Sequence, residues 1–259
     1  MLGGFRVAVI DCQPLPEIVQ QVTNEKNFTG CFQALFDKLV EERGGPQLQM
    51  VSFNAQQGQL PAPDENFHAY LVTGSFSSAY EKRPWIEKLG QFLKHTYTTT
   101  QVPLIGICFG HQMLAQALGG LSELCKKGPE VGLSTFTLSP QAQNLPVFAQ
   151  QWRQLQQINL IAIHSDEVVA LPPGAISIGS NEHCLYQGMV IPCRVLSFQG
   201  HPEFSAKPQV FEAILTHVAK FPDKSRGYQA LASSSSSTDH IWVASCIRDF
   251  ILQKTLIHE

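Results

Sequence analysis

The sequence predicts an α/β protein: an open, mostly parallel twisted sheet with helices on both faces. Three observations lead there. Short apolar, β-branched runs alternate with segments of helical periodicity. One such run passes straight into a helix through a turn bracketed by glycines, Gly106 and Gly110. The chain has 259 residues, which suits one α/β domain with a real core and leaves no room for a second catalytic domain of ordinary size.

The elements follow in order. Residues 5–10, Phe-Arg-Val-Ala-Val-Ile, read as the first strand. A loop with Pro14 and Pro16 comes next, then a helix centred on 32–40 and closed by Gly44 and Gly45. Residues 48–53 and 68–72 are strands, and 85–96 form a helix with Ile86, Leu89, Phe92 and Leu93 on one face. Residues 102–105 make the strand before the glycine turn, and 112–118 the helix after it, ended by Gly119 and Gly120. Residues 131–139 and 158–169 are β-rich but less regular, with Pro172 and Pro173 as a stop. Strands at 175–180, 185–191 and 194–198, some of them suited to antiparallel pairing, and a helix at 208–220 complete the domain. The expected organisation is one domain over 1–231, a serine-rich linker at 232–238 and a C-terminal helix within 239–259 packing on the domain. In that helix Ile241, Ala244, Ile247 and Ile251 recur at helical spacing.

Composition narrows the function classes. A net charge of −3 offers no basic patch, which argues against a nucleic-acid partner. No apolar run reaches membrane-spanning length, and Arg6 and Asp11 interrupt the first apolar stretch, which suits a strand and not a signal peptide. The seven cysteines are odd in number and scattered, without zinc spacing, so no metal site and no cofactor are expected. They fit a reducing compartment and a cytoplasmic protein.

The glycine-bracketed turn carries the chemistry. Strand, tight turn and helix make a nucleophile elbow, with Cys108 where many hydrolases place serine. The following helix directs its N-terminus at the sulfur, which favours a thiolate. A nucleophilic cysteine needs a base, and His201 leaves the end of a strand on a loop, where an open sheet gathers its site residues. Glu203, two residues on across Pro202, can orient the imidazole, so Cys108, His201 and Glu203 read as nucleophile, base and orienter. His164 is a rival base: it ends an apolar strand and has Asp166 two residues on. His111 would serve only in a scheme where histidine directly follows the nucleophile, and there this chain has Phe109. An oxyanion would be held by the backbone N–H of Phe109 and by one from the loop after the third strand, at Gly74 or Ser75.

Gly-Ile-Cys-Phe-Gly-His-Gln at 106–112 and Gln-Gly-His-Pro-Glu at 199–203 resemble the two signature motifs of the class I, triad-type glutamine amidotransferases. Thr73-Gly74-Ser75 through Pro84-Trp85-Ile86, with His164-Ser165-Asp166-Glu167-Val168, is similar to a stand-alone branch of that family. That branch is related to the amidotransferase half of GMP synthase and includes the γ-glutamyl peptidases of plants. The resemblance runs from about Phe5 to about Phe204. It implies a flavodoxin-like sheet and places the His201 motif ahead of His164 as the base. It also implies that Gln112 lines the substrate pocket and that His164, Ser165 and Asp166 lie near the γ-glutamyl group. The implied reaction is cleavage of a γ-glutamyl amide through a thioester on Cys108. The implied partner is a small-molecule γ-glutamyl substrate, with or without an ammonia-accepting protein. A γ-glutamyl peptidase acting on glutathione-like compounds and a catalytically idle interaction module are the alternatives. Two departures stand out: Thr73-Gly74 replaces the frequent Gly-Gly of the oxyanion loop, and the synthetase domain is absent.

Overall fold

Strand β1 (Phe5–Asp11) is buried on both faces from Val7 onward, which only an interior strand of a helix-covered sheet requires. In the computed structural model, which describes residues 4–62, 64–145, 156–217, 225 and 238–255, it lies between two parallel neighbours. These are β2 (Leu48–Asn54) and β3 (Ala69–Val72). The parallel set continues through β4 (Leu104–Ile107) to β11 (Val195–Phe198). The intervening chain supplies β5 (Leu121–Leu124), β6 (Glu130–Leu138), β7 (Gln157–His164), β8 (Asp166–Ala170), β9 (Ile176–Ser180) and β10 (Gly188–Ile191). The large sheet runs β2-β1-β3-β4-β11-β10-β9-β6-β7, with antiparallel pairing beyond β11. Only β10 and β6 therefore run against the common direction, so the sheet is mixed but mostly parallel. A second, two-stranded antiparallel sheet joins β5 to β8.

Alternation along the strands sorts the core into two layers. Val7, Val9, Leu71, Ile105 and Leu196 face the helix α2 (Thr29–Arg43), whose Phe32, Leu35, Phe36 and Leu39 are fully or almost fully buried. Ala8, Ile10, Tyr70, Val72 and Leu104 face the opposite layer. There, α3 (Pro84–Thr99) contributes Ile86, Leu89 and Leu93, and α4 (Phe109–Ala117) contributes Met113 and Leu114. Helices thus cover both faces of the sheet, as the periodicities require.

The structure adds elements that periodicity misses. The short helix α1 (Glu17–Thr23) starts directly after Pro16 and buries only Val19, so it carries no apolar stripe. The small β5–β8 sheet exposes three of the four β5 residues, which hides that strand in the same way. After β11 come α6 (Glu203–Ala206) and α7 (Pro208–His217), the latter described three residues short of the expected end. The short helix α5 (Pro140–Gln143) follows β6.

The C-terminal helix α8 (His240–Thr255) buries Ile241, Ala244, Ile247 and Ile251 in the same layer as α2. Trp242, Val243, Cys246 and Phe250 are buried too, so its apolar surface is wider than the sequence stripe. Just before it, the Asp239 carboxylate accepts the Asn159 backbone N–H at 2.8 Å and ties the helix to β7. The serine-rich segment expected as a linker lies outside the described residues.

Candidate active site

Four parallel strands deliver their following residues to one edge. Gln13 follows β1, Gly74 follows β3, Cys108 follows β4 and His201 follows β11, and all four line one pocket. At the elbow Cys108 has φ 55° and ψ −106°, a left-handed strained conformation for a residue with a side chain. The flanking glycines let the turn close this tightly. A Cβ on Gly106 would lie 2.6 Å from the Gly110 carbonyl carbon, and one on Gly110 would collide with the Val72 carbonyl oxygen. The Cys108 N–H donates to the Phe198 carbonyl at 2.9 Å, which fixes the elbow to β11.

His201 sits just beyond β11, held by its own N–H donating to the Ile161 carbonyl of β7 at 2.7 Å. Its Nδ1 meets Glu203 Oε1 at 2.7 Å, and Phe204 stacks on the ring at 4.5 Å. Glu203 is fully buried, so its charge needs a partner, and His201 is that partner. Burial by itself would push the imidazole down; the Glu203 carboxylate and the Cys108 sulfur outweigh it and raise the histidine to about 10. Nε2 of His201 has no hydrogen-bond partner among the described residues. Gly74 fits against both side chains: a Cβ there would stand 3.0 Å from His201 Cε1 and 3.8 Å from Cys108 Cβ.

The loop after β3, where the sequence leads one to expect the second oxyanion donor, is tethered at several points. Thr73 is fully buried, and its hydroxyl accepts the Cys12 N–H at 3.0 Å and donates to the Gly74 carbonyl at 3.1 Å. Gln13 Oε1 accepts the Phe76 N–H at 3.3 Å. Phe109 is the first residue of α4, so its N–H has no acceptor within the helix. Gln112 reaches into the pocket and donates from Nε2 to the Asp166 carbonyl at 2.8 Å and to Gln199 Oε1 at 3.1 Å.

His164, Ser165 and Asp166 also line the pocket. The rival arrangement does not assemble. His164 Nδ1 faces the Asp166 carbonyl oxygen at 3.0 Å, and Nε2 faces Glu130 Oε2 at 2.9 Å, so both ring nitrogens are taken. The Asp166 carboxylate instead accepts the Tyr80 hydroxyl at 3.0 Å. His111, a residue of the elbow helix itself, is fully buried, with Nδ1 at 2.8 Å from Ser197 Oγ and Nε2 at 3.1 Å from the Tyr186 carbonyl. Burial lowers it to about 3, so it is a neutral packing histidine.

Glu130 is the site residue that sequence reasoning passed over. Its carboxylate binds His164 and also accepts from Ser134 at 2.7 Å, Asn181 at 2.9 Å and Gln187 at 3.0 Å. Burial works against its charge, but His164 and these hydrogen bonds bring it down to about 2. Gln13 was missed as well; its place at the C-terminal end of the first strand was the available signal. Among the described residues no group of three His, Cys, Asp or Glu side chains is arranged to hold a metal ion, and no helix is long and apolar enough to cross a membrane.

The sheet carries a cysteine elbow and a buried histidine–glutamate pair at its C-terminal edge. The sequence model of the class-I glutamine amidotransferases matches residues 26–218, and the chain belongs to that family. Similar proteins include γ-glutamyl peptidase 2 of Arabidopsis thaliana, 27% identical over 222 residues that cover 85% of this chain and 84% of that one. The glutamine-hydrolysing GMP synthase subunit of Saccharolobus solfataricus is 34% identical over 143 residues, 54% of this chain and 69% of that one. Among solved structures, a glutamine amidotransferase from Thermotoga maritima shares the fold, with a TM-score of 0.72 at 21% identity. That match covers 95% of this chain and 98% of the other.

Proposed function

We propose that this chain hydrolyses a γ-glutamyl amide bond through a thioester on Cys108. The observation that carries the reading is the meeting of Cys108 and His201 in one pocket, with His201 braced by buried Glu203 and its Nε2 otherwise unengaged. The sulfur attacks the amide carbonyl carbon, and the carbonyl π electrons move onto oxygen, facing the N–H groups of Phe109 and the Gly74–Ser75 loop. As the oxyanion collapses, the C–N bond breaks and the protonated Nε2 of His201 gives its proton to the leaving nitrogen. Water then loses a proton to Nε2 and attacks the thioester; the C–S bond breaks, glutamate leaves and the sulfur returns to its starting state. Glu203 holds the imidazole in orientation and balances its charge throughout. Gln112, His164, Ser165 and Asp166 form the wall against which the glutamyl portion binds.

Two leaving groups fit this chemistry. The relatives' names, γ-glutamyl peptidase and glutamine-hydrolysing GMP synthase, support an amine or peptide on one side and ammonia on the other. An idle interaction module is disfavoured, because a strained cysteine and a buried His–Glu pair both cost stability that a binding surface does not require. The test is glutamate release by the purified chain from glutamine and from a panel of γ-glutamyl peptides. Release with no added protein supports a free-standing hydrolase. Release only after a second protein is supplied would identify a partner-dependent amidotransferase that passes ammonia on. Failure of every γ-glutamyl compound under both conditions removes the hydrolytic reading.

A further inference from the structure

The loop that follows β3 is anchored at its first residue, Thr73. Thr73 is fully buried at the end of β3, with its side chain turned into the protein. Its hydroxyl uses both functions: it accepts the N–H of Cys12 beyond β1 at 3.0 Å and donates to the carbonyl of Gly74 at 3.1 Å. The second bond has a geometric consequence. In a trans peptide the carbonyl of one residue and the N–H of the next point in opposite directions. Holding the Gly74 carbonyl toward Thr73 therefore turns the Ser75 N–H away from Thr73, and both Gly74 and Ser75 line the pocket. The loop beyond is held by Gln13 Oε1 on the Phe76 N–H and by Ser75 Oγ on the Ser77 N–H at 3.2 Å.

We propose that Thr73 is a positioning residue whose hydroxyl aims the Ser75 N–H as an oxyanion donor and anchors that donor to β1. The inference rests on the hydrolytic reading of the site. The threonine hydroxyl fixes this peptide before substrate arrives. Preorganised donors act because they need no reorientation when charge develops, so a donor that must be re-aimed loses much of its effect.

Thr73→Val keeps the shape and removes both hydrogen bonds; Thr73→Ser keeps the hydroxyl. With each protein assayed below its melting midpoint, Thr73→Val is expected to lower kcat at least about tenfold with little change in KM. It should weaken inhibition by a γ-aldehyde analogue of glutamate, whose adduct carries the same tetrahedral oxygen, by a similar factor. Alkylation of Cys108 by iodoacetamide passes through no oxyanion and should keep its wild-type rate. Thr73→Ser should recover most of the turnover. An unchanged kcat in Thr73→Val overturns the proposal. So does an alkylation rate that falls as far as turnover, which would mean the elbow itself is disturbed, or a serine variant as impaired as valine. The hydrolytic reading fails separately, if Cys108→Ala retains turnover.

Discussion

Two histidines line the same pocket, each paired with a glutamate behind it, and the two pairs are built differently. In the His201–Glu203 pair the partners are two residues apart, Glu203 is fully buried, and the histidine is pushed up to about 10. Nε2 of that ring stays unengaged beside Cys108. In the His164–Glu130 pair both ring nitrogens are occupied, and the carboxylate is shared with Ser134, Asn181 and Gln187. Here it is the glutamate that moves, down to about 2. A histidine that carries protons to substrate needs one free nitrogen and a carboxylate that depends on it. A histidine that shapes a wall is best fully tied. The comparison therefore favours His201 over His164 for the proton transfer proposed above and suits His164 to the pocket wall.

The largest effect expected from breaking the comparison is at His201. His201→Asn should reduce kcat about 10,000-fold or more, since removing the base from a nucleophile–base unit removes the function of both. His164→Asn should raise KM about tenfold with a smaller change in kcat. Steady-state kinetics on one γ-glutamyl substrate decides between them, and the reverse pattern would move the base to His164. Next in size is Glu203→Gln, expected to slow turnover by about 100- to 10,000-fold while Cys108 remains open to a simple alkylating agent.

The pairs also part company in their dependence on pH. The raised His201 stabilises the fold fully below its ordinary value of 6.5, and that contribution is lost as pH rises through about 10. The depressed Glu130 stabilises the fold above its ordinary 4.5, and that contribution is lost as pH falls through about 2. Urea unfolding should show Glu130→Gln less stable than wild type by about 3 kcal/mol at neutral pH, with a shallower loss on acidification. His201→Asn should flatten the alkaline side only. A Glu130→Gln protein with wild-type stability and an unchanged acid limb would show that the second pair is not a structural hub.

What was legible in the sequence follows the same division. Cys108, with Gly106 and Gly110, was legible because the close approach of α4 to β3 and β4 admits no side chain at the glycines, which leaves a local signature. His201 and Glu203 were legible because they are two residues apart in a short motif. Glu130 and His164 are 34 residues apart and meet only through the antiparallel register that sets them opposite each other across β6 and β7. No local pattern carries that pairing. The Thr73 hydroxyl was hidden likewise, because its partner Cys12 lies just past the end of the neighbouring parallel strand β1, 61 residues away in sequence. The strand–helix alternation was readable over β1 to β4, whose buried apolar runs are separated by periodic helices. The antiparallel extension was blurred because β6 alternates buried and exposed residues, and β5 is mostly exposed.

The central claim is that a γ-glutamyl group is carried covalently on Cys108 and that His201 governs its formation. Rapid mixing with a γ-glutamyl substrate, acid quenching and peptide mapping by mass spectrometry test it directly. The account predicts a γ-glutamyl adduct on the peptide containing Cys108, absent from the other six cysteines and absent in His201→Asn. Glutamate release without any such adduct, an adduct on another cysteine, or undiminished adduct in His201→Asn would contradict it.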